Sequence, residues 1–159
     1  MEHEIEISRD KKGLGHPASA RLIREAASMA LHAEGIAAPC VISVLLSDDE
    51  GIRAVNREFR GIDRATDVLS FPMNELVPGA FDPAACERDP DTGALLLGDM
   101  MISVPRCQAQ GEEYCHGYAR ELKYLTVHSV LHLLGYDHVD EGPMKRQMRA
   151  REKAVMGDD

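Results

Sequence analysis

Residues 122–134 of this 159-residue chain are apolar on nearly every side: Leu122, Leu125, Val127, Val130, Leu131, Leu133 and Leu134. A helix that is apolar all round must be buried all round, so any fold that holds it places it centrally and covers it with other elements. The same segment nevertheless carries His128 and His132, four apart and therefore stacked on one helical face. Gly135 follows, the residue that most cheaply ends a helix in a left-handed turn, after which the chain can reverse and bring His138 back toward the other two. A single helical histidine is more often a packed or solvated residue than a ligand. Two buried imidazoles at this spacing, with a third just past the turn, need partners that packing does not supply.

Three imidazoles on a helix and turn form a tripod for Zn²⁺ that leaves the fourth position for water or substrate. The spacing therefore predicts a catalytic zinc site at His128, His132 and His138. Neutral ligands leave the ion its full charge, which lowers the pKa of bound water to about 7 and polarises a carbonyl or phosphoryl oxygen. Hydrolysis is the reaction class this chemistry predicts. A zinc peptidase of the H-E-x-x-H type carries its general base beside the first histidine, and here that position is Ser129, which cannot serve. Asp137 is available as a base, and equally as a turn cap or as a partner that orients an imidazole. Three imidazoles would also accept Ni²⁺ or Cu²⁺.

The length fits one domain, residues 1–159, with a core that needs neither disulfides nor a partner. No apolar run approaches a membrane span, and the acidic, alternating start MEHEIEISRD does not read as a signal peptide, so none is expected. Cys40, Cys86, Cys107 and Cys115 are scattered without a C-x-x-C pair and read as reduced thiols of a cytoplasmic protein. The net charge of −9 argues mildly against nucleic acid. Its distribution is uneven, however. Residues 73–93 are acidic, with Glu75, Asp82, Glu87, Asp89 and Asp91 against Arg88, whereas Arg53, Arg57, Arg60 and Arg64 crowd residues 52–64. Lys145, Arg146, Arg149, Arg151 and Lys153 make 141–153 basic as well. Steering depends on local potential, so net charge does not settle the partner. Taken alone, each basic cluster is best explained as a solvated helix face.

Periodicity predicts strands at 4–7, 40–46, 68–71 and 95–104, the last interrupted at Gly98-Asp99. Helices are expected over 17–34, from a Ser47-Asp48-Asp49-Glu50 capping box to about Phe59, from Pro105 without a break to the histidine motif, and over 143–156. Residues 74–93, rich in Pro and Gly, read as one long acidic loop. The expected fold class is α+β (mixed α/β): a single compact domain with about four strands packed with helices around the zinc-bearing helix. Upstream of that helix, Asn56 to Pro72 concentrates Arg, Asp and Thr around a glycine turn. Arg60 there is either a phosphate clamp or the partner of Asp63 or Asp67, and the residues alone weigh these about evenly.

Three blocks, in order, resemble one family. His128-Ser129-Val130-Leu131-His132-Leu133-Leu134-Gly135-Tyr136-Asp137-His138 resembles the H-G-x-L-H-L-x-G-Y-D-H signature of the YbeY family of bacterial ribosome-maturation endoribonucleases. NREFRGIDRATDVLSFP, residues 56–72, resembles that family's second block, and Leu97 to Ser103 resembles its L-G-D-I-x-I-S block. The resemblance implies a single-strand-acting, zinc-dependent endoribonuclease that matures ribosomal RNA, including the 3′ end of the small-subunit RNA, and takes part in ribosome quality control. It implies RNA and the ribosome or its small subunit as partners, with no DNA and no membrane. It also implies one zinc per chain on His128, His132 and His138, and a functional arginine at Arg60 that binds or neutralises the scissile phosphate. Ser129 stands where the signature has Gly, a small-for-small exchange expected to leave the ligands in place. Two other readings are a zinc peptidase or amidase, which the missing Glu opposes, and a non-catalytic ribosome-assembly factor with structural zinc. The last would need a fourth protein ligand.

Overall fold

The computed structural model describes residues 3–137 and 142–157. Its elements follow the chain as β1 (Glu4–Arg9), α1 (Ser19–Ala33), β2 (Cys40–Ser47), α2 (Asp49–Arg60), β3 (Val68–Pro72), β4 (Glu87–Arg88), β5 (Leu95–Ser103), α3 (Val104–Glu113), α4 (Gly117–Leu133) and α5 (Pro143–Met156). The fold is mixed α+β. The sheet order is β1-β2-β5-β3, with the first three strands parallel and β3 antiparallel to β5. Short β4 pairs with Leu95 and Leu96, so β3 and β4 lie one after the other along the same strand. This fifth strand was not expected. It sits in the acidic segment, whose prolines and glycines mask a two-residue pairing and a single 3-10 turn at Pro83–Ala85.

The apolar pattern assigns the faces. Ile42, Val44 and Leu46 of β2 join Leu95, Leu97, Met100 and Ile102 of β5 in the main core, against α1 and α4. Along β5 the buried set shifts from odd to even positions across Gly98-Asp99. A bulge lies there, where Val41 pairs with Leu96 and Ile42 with Gly98. The expected interruption is therefore an extra residue within a continuous strand. Gly98 is required at this point: its φ is 139°, and a Cβ would run into the Phe71 carbonyl oxygen of β3. On the opposite sheet face, Ile52 of α2 packs with Leu69 and Met101 as a smaller cluster.

α4 is the central helix and packs against α1, α3, α5, β3 and β5. It is not continuous with the helix that precedes it, contrary to expectation. The chain breaks at Tyr114–His116, where Cys115 adopts φ 59° and Gly117 φ 82°. α3 and α4 then approach so closely that a Cβ on Gly111 would lie 2.6 Å from the Gly117 carbonyl oxygen. The start of α2 also differs from the expected capping box. Asp48 is the cap, accepting from the Gly51 amide at 2.9 Å, while the Ser47 hydroxyl donates to Asp10.

Candidate active site: a histidine cleft between α4 and β3

The C-terminal end of α4 closes as the sequence requires. Gly135, at φ 103°, donates to the His132 carbonyl at 3.0 Å, and Tyr136 donates to the Leu131 carbonyl at 3.0 Å. This pair of bonds is a Schellman stop, which turns the chain sharply just after the second histidine. The turn presses against the segment that follows β3, where a Cβ at Gly135 would meet the Leu76 carbonyl. Tyr136 is anchored below it: its hydroxyl donates to the buried Glu34 carboxylate, which Arg151 also holds from α5 at 2.6 Å.

β3 supplies the facing wall. Its alternation sends Leu69 into the small cluster and turns Val68, Ser70 and Pro72 toward α4. Between the two lies a cleft of about 850 Å³ whose lining includes His128, His132, Asp137, Arg60, Asp67 and Glu75. Residues 74–76, the beginning of the expected acidic loop, thus form part of its wall.

At the cleft the two histidines turn Nε2 toward Nε2, 3.2 Å apart, with their rings edge-on at 78°. Two imidazoles bound tetrahedrally to one zinc at 2.0–2.1 Å would hold their nitrogens roughly 3.3 Å apart. The pair therefore fits the ion. The donor set fits as well, because His128 Nδ1 is hydrogen-bonded to Glu152 of α5. A carboxylate there keeps the proton on Nδ1 and directs the Nε2 lone pair at the cleft. Glu152 is itself only 7% exposed and accepts from the Tyr124 hydroxyl at 3.2 Å. Burial, followed by the charge of Glu152, pushes the Tyr124 phenol well above its ordinary pKa, so it remains a donor. Among the described residues no group of three or more His, Cys, Asp or Glu side chains is arranged to hold a metal. The third expected ligand, His138, lies outside the described residues.

Arg60 ends α2, immediately before the left-handed Gly61, and its exposed side chain lines the cleft. Among the described residues, neither Asp63 nor Asp67 pairs with it. Asp63 pairs with Arg53 at 2.8 Å, while Asp67 accepts from the Val68 amide and from Gln110. Asp137 also lines the cleft, half-buried. Ser129 is fully buried and shares a 2.6 Å hydrogen bond with Ser70 of β3, so the hydroxyl that replaces a glycine in the family signature has a partner.

Sequence reasoning missed Glu152. A signal existed: Met148, Glu152 and Val155 recur at helical spacing on α5, which places a carboxylate on the buried stripe.

Fold and site together define a class: a mixed α+β enzyme whose polar cleft joins a carboxylate-backed histidine pair to an arginine. The family model described as Endoribonuclease YbeY matches residues 4–158, and the chain belongs to that family. Relatives named Endoribonuclease YbeY include one from Clostridium kluyveri, 42% identical over 142 residues that cover 86% of each chain. Another, from Clostridium acetobutylicum, is 46% identical over 141 residues covering 84% of each. The solution structure of TM1509 from Thermotoga maritima shares the fold, with a TM-score of 0.55 at 24% identity, over 96% of this chain and 89% of that one.

Proposed function

We propose that the protein is a zinc-dependent endoribonuclease that cuts single-stranded ribosomal RNA during late maturation of the small ribosomal subunit, including its 3′ end, and in ribosome quality control. The observation that carries this reading is the convergence of His128 and His132 Nε2 at 3.2 Å in a cleft that Arg60 also lines. His128, His132 and His138 hold the zinc. Bound there, zinc supplies Lewis acidity, drawing charge from a phosphoryl oxygen and acidifying water. The residues of the chain do the rest. Arg60 pairs with the scissile phosphate and neutralises the charge that develops on it. Glu152 holds the His128 ring in one tautomer and one orientation. Asp137 and Glu75 line the same cleft, and in this reading one of them takes the proton from the attacking oxygen. Family membership supports an RNA substrate, and the ribosome is the partner the reading assigns.

The test is cleavage of a single-stranded ribosomal RNA fragment by the purified protein. The wild type is expected to cut it and to leave a fully paired duplex of the same sequence intact. Arg60→Ala is expected to keep its fold and zinc and to cut at least 100-fold more slowly, on the order of the loss of one transition-state charge contact. An Arg60→Ala protein with undiminished cleavage would remove that residue from the mechanism. End-group analysis separates the routes: attack by water leaves a 5′-phosphate, whereas attack by the 2′-hydroxyl leaves a 2′,3′-cyclic phosphate.

A further inference from the structure

Arginines from α2, the segment after it and α3 gather around one depression. Arg53 pairs with Asp63, and Arg106 pairs loosely with Asp49 at 3.4 Å. Arg60 and Arg64 do not pair: neither side chain has a hydrogen bond or ion pair among the described residues. Exposed arginines elsewhere, Arg24, Arg57, Arg146 and Arg149, also lack a side-chain hydrogen bond or ion pair among the described residues, so grouping around one depression is what distinguishes this set. Arg60, Arg64 and Arg106 line this second depression, of about 410 Å³. It shares Arg60, Thr66 and Asp67 with the histidine cleft, so the two are continuous at the residue assigned to the scissile phosphate. The depression is shaped by buried structure. Asn56, 3% exposed, donates to the Arg64 carbonyl at 2.9 Å and so fixes the backbone that presents Arg64.

We propose that this depression is a phosphate subsite for single-stranded RNA, in which Arg64 and Arg106 hold the backbone phosphate next to the one in the cleft. The inference rests on the endoribonuclease reading and extends it by assigning where the strand runs. Guanidinium groups match phosphate oxygens two at a time, and the weak pairing of Arg106 with Asp49 is easily exchanged for a phosphate. A local field of this kind operates despite the acidic net charge, because screening confines each charge to about 10 Å.

The test is the salt dependence of binding to a short labelled oligouridylate, followed by fluorescence anisotropy. Each phosphate contact to a single strand contributes about 0.7 to the slope of log affinity against log salt. Because Arg64 and Arg106 share one phosphate, the Arg64→Ala/Arg106→Ala protein should lose about 0.7 from the wild-type slope and about tenfold in affinity at low salt. Arg64→Lys/Arg106→Lys should retain the slope, since an ammonium also neutralises a phosphate. Arg21→Ala, which removes a cation of α1 outside both pockets, should change neither quantity. Wild-type slope and affinity in the double alanine variant would overturn the subsite while leaving the enzyme reading intact. A wild-type protein that binds no single-stranded RNA would overturn both.

Discussion

At the scale of single residues, the site depends on what stands behind the histidines. His128 presents Nε2 because Glu152 occupies Nδ1, and Glu152 keeps its place through Tyr124. Partners of this kind typically contribute 10–100-fold to metal affinity. Glu152→Ala is thus expected to weaken zinc binding by about that factor, measured by competition with a chromogenic chelator. Glu152→Gln keeps an acceptor at the ring and should fall between the two. Equal zinc affinity in all three proteins would assign Glu152 to packing alone. Ser129 yields a second expectation. Ser129→Gly restores the residue of the family signature but removes the Ser70 hydrogen bond and places glycine inside a helix. The two losses cost about 1 kcal/mol each, so a urea titration should show a drop of about 2 kcal/mol with zinc content unchanged.

At the scale of elements, what could be read from the sequence depended on how far apart the interacting residues lie. The helical period alone put His128 and His132 on one face, and Gly135 marked the turn beyond them. Strand β5 was legible because its apolar residues alternate, and even its bulge left a trace in the phase shift from Leu97 to Met100. The break between α3 and α4 was not legible. It depends on Gly111 and Gly117 meeting across a turn, and a helical pattern runs through both without interruption. Glu152 was missed for the same reason, since its partner lies 24 residues away in another helix. Gly135→Ala tests the turn directly. It combines a left-handed backbone with a collision at the Leu76 carbonyl, and should cost about 2–4 kcal/mol in denaturant unfolding. A loss below about 0.5 kcal/mol would mean that the Leu76 segment does not seat on this turn.

At the scale of the whole molecule, a sheet covered by helices on both faces buries two of the four thiols completely. Burial pushes Cys40 and Cys107 up to about 12, so the folded chain disfavours their thiolates. The contribution from these groups is fully present below the ordinary thiol range and is lost as pH rises through it toward 12. Alkylation of the native protein should therefore modify exposed Cys115 and spare Cys40 and Cys107 until denaturant is added, as peptide mass spectrometry would show. Rapid native modification of Cys107 would contradict the packing of α3. Charge is also organised at this scale: in an acidic chain, Arg60 and Arg64, which have no ion pair among the described residues, lie beside the histidine cleft. The central claim is that this cleft is a zinc centre that cuts RNA. It is tested most directly by elemental analysis of the purified protein, paired with cleavage of a single-stranded ribosomal RNA fragment before chelation, after chelation and after zinc add-back. The account predicts one zinc per chain, with cleavage lost and restored together with the metal. Cleavage that survives complete removal of zinc would contradict it.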